Sequence, residues 1–169
     1  MARASPTLAL LAALLGLTPA CAGHLEQGVY TEGHTRFRIG PVPPSWQLVR
    51  LAGNDVAYVS LDSPHSLAVN ATCEDHDDPP LDVLTRHLLM GFTERATLEE
   101  RRFSLDGREA LRTHVAARLD GVPVELVLVV MKKDGCVYDF TYLSPAGRVE
   151  ERVSVFEQVL AHFAAGASS

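Results

Sequence analysis

Residues 103–140 read FSLDGREALRTHVAARLDGVPVELVLVVMKKDGCVYDF, and this stretch decides the fold. Asp106-Gly107, Asp120-Gly121 and Asp134-Gly135 recur every fourteen residues. Asp-Gly suits a two-residue hairpin turn because both central positions need positive φ, which Gly and Asp tolerate better than most residues. Three such turns predict four antiparallel strands, at about 97–105, 109–119, 122–132 and 136–143. In the third, Val122, Val124, Leu126, Leu128 and Val130 share one face, and Val127, Val129 and Met131 stand on the other. A strand apolar on both faces lies inside a sheet that is covered on both sides.

The flanking sequence supplies more strands and the cover. Asp55 to Leu61 and Ser66 to Cys73 are β-branched-rich runs split by the turn formers Asp62-Ser63-Pro64-His65, which predicts a hairpin. Phe37 and Ile39 alternate with Arg36 and Arg38, and Trp46 and Leu48 follow the prolines at 41, 43 and 44. Asp78 followed by Pro79 reads as a helix start, with Leu81, Leu84, Leu88 and Phe92 at helical spacing. Val149, Val153, Phe156, Leu160 and Phe163 predict a C-terminal amphipathic helix that Gly166 ends. The predicted fold class is α+β: an antiparallel sheet, made of a hairpin plus a four-strand meander, packed between a short central helix and a C-terminal helix. Residues 34–165 form its single domain. His24 to Gly33 is polar and glycine-punctuated, so residues 21–33 read as a tether.

This order of elements resembles the PsbP-like superfamily, which includes bacterial DcrB-like lipoproteins. The matching residues are Phe37-Arg38-Ile39 with Pro44-Ser45-Trp46, then the hairpin, helix and meander, and a final run of Cys136-Val137-Tyr138-Asp139-Phe140 before the last helix. The resemblance implies an α/β/α sandwich and an accessory or interaction module. Members share a fold and not a reaction, so it transfers no catalytic residue.

Residues 1–20 stand apart. Arg3 precedes the apolar run Leu8 to Leu17, and small residues follow at Pro19-Ala20-Cys21-Ala22, the pattern of an export signal too short to anchor as a helix. Leu17-Thr18-Pro19-Ala20-Cys21 resembles a bacterial lipobox, which makes Cys21 a lipidation site and the outer membrane, facing the periplasm, the expected destination. Ala20-Cys21-Ala22 also fits ordinary cleavage after Ala22, which would give a soluble periplasmic or secreted chain. Cys73 and Cys136 then remain in a compartment that permits disulfides. They are read either as a bridge, worth about 4 kcal/mol through loop entropy, or as two buried thiols.

The 169 residues are 47% hydrophobic and 21% charged with net charge −6, and the acidic balance excludes a general nucleic-acid binder. No run is long and apolar enough for a spanning helix. The densest polar cluster is Glu74-Asp75-His76-Asp77-Asp78, whose carboxylates suit a hard cation, although the spacing is not that of a calcium loop. It reads first as a solvated loop leading into a helix. The seven histidines show no zinc spacing, and neither a G-x-S-x-G elbow nor a P-loop occurs. Trp46, Tyr58, Tyr138, Phe140 and Tyr142 read as core aromatics before pocket-liners. No cofactor is expected. The expected function is a non-catalytic cell-envelope lipoprotein, held to a membrane by its N-terminal lipid and serving an envelope protein partner. The alternatives are a small-ligand or divalent-cation binder, and a hydrolase whose site assembles only in the fold.

Overall fold

Both residues of each Asp-Gly pair have positive φ: 47° and 74° at Asp106-Gly107, 50° and 81° at Asp120-Gly121, and 52° and 78° at Asp134-Gly135. That is the twist a two-residue hairpin requires. The computed structural model describes residues 23–73 and 78–166. In chain order its strands are β1 (His24–Glu26), β2 (Val29–Glu32), β3 (Thr35–Arg38), β4 (Trp46–Val49), β5 (Val56–Ser60) and β6 (Ser66–Thr72). Helix α1 (Leu81–Leu88) follows, then the meander β7 (Thr93–Leu105), β8 (Arg108–Leu119), β9 (Val122–Lys133) and β10 (Cys136–Pro145). A 3-10 turn at Val149–Glu151, α2 (Val153–Ala161) and the short β11 (Ala164–Ala165) complete it.

Seven strands form the main sheet in the order β4-β5-β6-β10-β9-β8-β7, and every pairing is antiparallel. The hairpin and the meander meet where β6 pairs with β10. The two-faced apolar strand β9 lies inside, as its composition demands. Val127, Val129 and Met131 join Phe140, Tyr142 and Phe156 in the core beneath α2. Leu126 and Leu128 pack on the other face with Leu89, and Val130 with Leu81 of α1. The α+β sandwich expected from the sequence is therefore present.

Three expectations need correction. Residues 24–33 are not a tether. Gln27 (φ 48°) and Gly28 (φ 78°) close a fourth turn of the same kind, which folds β1 against β2. Pairing with β3 and β11 then completes a separate four-stranded sheet, β1-β2-β3-β11. Tyr30 holds it down, buried and stacked on Phe37 at 5.0 Å between ring centroids. The central helix begins at Leu81 instead of Asp78, because Pro80, at ψ 153°, is still extended. The C-terminal helical pattern is interrupted. Arg152 (φ −138°) separates the 3-10 turn from α2, and after Ala161 the chain leaves the helix so that Ala164 and Ala165 can pair with Arg38 and Phe37. Phe163 still fills its core position, edge-on to Phe140 at 4.8 Å.

Candidate functional site

Strand β5 is shorter than β6. Its pairing begins at Val56, opposite Val69, while β6 continues through Asn70, Ala71 and Thr72 alongside β10. Asp55 fills the end of the ladder. Its backbone N–H donates to Asn70 Oδ1 at 3.0 Å, and its Oδ2 accepts the Ala71 N–H at 2.8 Å. Beyond Asp55 the β4–β5 loop and the β1–β2 hairpin draw apart around a cavity of about 710 Å³. Leu25, Tyr30 and Glu32 line it from the hairpin, Leu51 and Asn54 from the loop, and Asn70 from β6.

The polar chemistry of this cavity centres on Tyr30. Its hydroxyl donates to Glu32 Oε2 at 2.6 Å and lies 3.3 Å from Asp55 Oδ1. Burial first, then the two carboxylates, push the phenol up, so it stays protonated and acts as a donor. Burial also raises the Asp55 carboxyl, against the Ala71 N–H and the Tyr30 hydroxyl, which favour its charged form.

A second feature lies on the α1 side of the sheet. Val137, Asp139, Thr141 and Leu143 alternate onto that face of β10, and α1 covers the Val137 end through Leu81. Two apolar hollows remain along the strand. One, of about 180 Å³, lies between Leu84, Leu88 and Asp139. The other, of about 190 Å³, lies between Tyr58, Phe92 and Leu143. Asp139 Oδ1 accepts a hydrogen bond from Asn70 Nδ2 at 2.9 Å, and burial pushes its carboxyl up to about 6. Asn70 thus joins the two features, with its carbonyl on Asp55 and its amide on Asp139.

The residues singled out in the sequence are scattered around this centre. Cys73 and Cys136 form a disulfide, with a Cα separation of 4.1 Å. Register explains why: Thr72 lies opposite Val137, and one step further along both strands the two cysteines face each other. Cys21, Glu74, Asp75, His76 and Asp77 lie outside the described residues. Asp78, the remaining member of that acidic run, is ion-paired with Lys132, whose ammonium also donates to the Pro79 carbonyl. Among the described residues, no group of three or more His, Cys, Asp or Glu is placed to hold a metal ion. Trp46, Tyr138, Phe140 and Tyr142 are core, and Tyr58 borders a hollow. His65 is buried. Its Nε2–H donates to the Arg148 carbonyl at 3.2 Å, and its Nδ1 is hydrogen-bonded with Ser63 Oγ at 2.9 Å. The ring stacks on Tyr142, and the pair clamps the β5–β6 turn to the far end of the sheet.

Tyr30 and Glu32 were missed because they fall in the supposed tether, and Asp55 because it reads only as the first residue of the strand run Asp55 to Leu61. The signal was there: Val29-Tyr30-Thr31 is a β-branched and aromatic run bounded by Gly28 and Gly33.

No family model matches the chain, and no curated protein matches it in sequence. Solved structures do. A protein of unknown function from Pseudomonas aeruginosa superposes with a TM-score of 0.56 at 13% identity, over 86% of this chain and 97% of its own. LpqN, involved in cell envelope biogenesis of Mycobacterium tuberculosis, gives 0.57 at 13% identity, over 79% and 84%. Cyanobacterial PsbP from Synechocystis gives 0.54 at 15% identity, over 89% and 95%. At such identities the likeness is one of fold, and the fold of this chain is PsbP-like.

Proposed function

We propose that this protein is a non-catalytic binding or accessory module of the cell envelope, anchored through lipid on Cys21 and facing the periplasm. The observation that carries the reading is the cavity beside the start of the fold. Gly23 to Leu25 line it directly, so an anchor at Cys21 and a ligand-sized space belong to one end of the molecule. The polar groups at its centre, two carboxylates and a phenol, are held by hydrogen bonds to one another and to backbone, which suits recognition more than proton transfer. The Ser63–His65 pair, which on paper resembles a nucleophile and its base, is committed to holding a turn. The envelope setting of LpqN and the absence, among the described residues, of a helix long and apolar enough to cross a membrane fit an exported protein.

Metabolic labelling with a palmitate analogue tests the anchor. Wild-type protein should incorporate it and pellet with membranes, and Cys21→Ala should do neither. Cross-linking from the cavity in intact cells, with a photoreactive residue in place of Asn54, tests the module. A discrete adduct is expected, and its absence in anchored, folded protein would remove the binding role.

A further inference from the structure

We infer that the rim of the large cavity, formed by the β4–β5 loop, is a surface that rests on the phospholipid bilayer, so that the cavity opens into the headgroup layer. The inference rests on the anchored reading above and adds an orientation to it. Once the supposed tether is recognised as strands β1 and β2, very little chain is left to separate the anchor from the fold. Cys21 precedes Gly23 by two residues, and at roughly 3.5 Å per extended residue an acylated Cys21 stands within about 7 Å of it. Gly23, His24 and Leu25 line the cavity, so the cavity is held against the membrane that receives the acyl chains.

The opposite wall is built for such contact. Leu48 and Leu51 line the same cavity and are 48% and 51% exposed, a pair of large apolar side chains left open at one rim. Arg50 stands between them in sequence and also lines the cavity, and its guanidinium suits a lipid phosphate. Leucine side chains that enter the interfacial layer and a cation that stays at phosphate depth form the arrangement of a peripheral membrane-contact loop. Sheet register fixes which end this is. The loop follows Val49 and precedes Val56, beside Val69 and toward the Cys73–Cys136 bridge, whereas the Asp120-Gly121 turn closes the far end between Leu119 and Val122. Exposed Val122 therefore points away from the bilayer.

The test uses the full chain, processed in a bacterium and reconstituted into phosphatidylethanolamine–phosphatidylglycerol vesicles that carry a nitroxide lipid at headgroup depth. An environment-sensitive fluorophore is attached in Ala52→Cys, which keeps both leucines, and separately in Val122→Cys. Quenching several-fold stronger at residue 52 than at residue 122 is expected, and adding Leu48→Ser with Leu51→Ser should bring residue 52 down to the level of residue 122. Equal quenching at both sites in protein that floats with the vesicles overturns the orientation and leaves the anchor standing. Protein that neither floats nor incorporates the palmitate analogue overturns both.

Discussion

The two faces of the seven-stranded sheet are closed by different means. Beneath α2, Phe37, Phe140, Tyr142 and Phe156 are fully buried, and Phe163 meets Phe140 and Tyr138 edge-on. The small β1-β2-β3-β11 sheet seals the side of that core through Tyr30 and Phe37. Among the described residues, the other face is covered by the eight residues of α1, with Leu89 and Phe92 just beyond them, over β8, β9 and the end of β10. Two hollows and the half-buried Asp139 carboxyl remain beside this cover, one hollow bordered by Leu84 and Leu88 of the helix itself. One face supplies rigidity through aromatic packing. The other trades packing for room, and the large cavity lies at the end where the small sheet and the main sheet part.

Truncating each face should show this most directly. Phe156→Ala leaves a ring-sized void in a dry aromatic core, and a loss of about 3–5 kcal/mol is expected in urea unfolding. Leu88→Ala borders a hollow that already exists and is partly exposed, so it should cost about 1 kcal/mol. Equal losses would mean that the α1 face is packed as tightly as the α2 face. The Cys73–Cys136 bridge ties the ends of neighbouring strands β6 and β10 and closes a sequence separation of 63 residues. Cys73→Ser with Cys136→Ser should lower stability by about 4 kcal/mol through loop entropy.

How far the sequence reveals these differences depends on the kind of signal. The meander, hairpin and both helices are local: Asp-Gly turns, period-two alternation and helical spacing each specify their element within a dozen residues. The bridge also follows from strand ends once β6 and β10 are paired. The small sheet is not local. Its β11 is two residues at the end of the chain, pairing with β3 more than a hundred positions earlier, and Gln27-Gly28 turns without the usual Asn or Asp. The cavity depends on that sheet, so Tyr30, Glu32 and Asp55 could be placed together only in three dimensions. Gly40 marks the same junction. A Cβ there would lie 2.0 Å from the Gln158 carbonyl oxygen of α2, a close approach that no spacing rule announces.

Charge sharpens the comparison next. The carboxyl of Asp139 is raised from the ordinary 3.8 to about 6 by burial, so the folded state binds its proton more tightly than the unfolded chain. Its contribution is complete below about pH 4 and is lost as the pH rises toward 6, after which stability no longer depends on it. Asp139→Asn keeps the shape and removes the titration. Relative to wild type, the variant should gain on the order of 2 kcal/mol between pH 4 and pH 7. Thermal melts at the two pH values check this, and a difference that does not change with pH would show that the α1 face solvates the carboxylate well.

An effect as small as that of Leu88→Ala belongs to Tyr30→Phe, which removes one oxygen from the cavity and leaves the ring on Phe37. In the wild type the hydroxyl donates to Glu32 and favours the charged form of Asp55. Without it, Asp55 Oδ2 retains the Ala71 N–H, but Oδ1 loses the phenol beside it. A loss of about 1 kcal/mol is expected at neutral pH. The sign with pH follows from the carboxylates. Asp55, whose charged form the hydroxyl favours, misses the donor when it is ionised and misses it less when it is protonated. The deficit of Tyr30→Phe should therefore shrink as pH falls, and so should the gain of Asp139→Asn. Because Asn70 bonds to both Asp55 and Asp139, the double variant should depart from the sum of the singles. Strict additivity at every pH would mean that the cavity and the α1-side hollows are electrostatically separate.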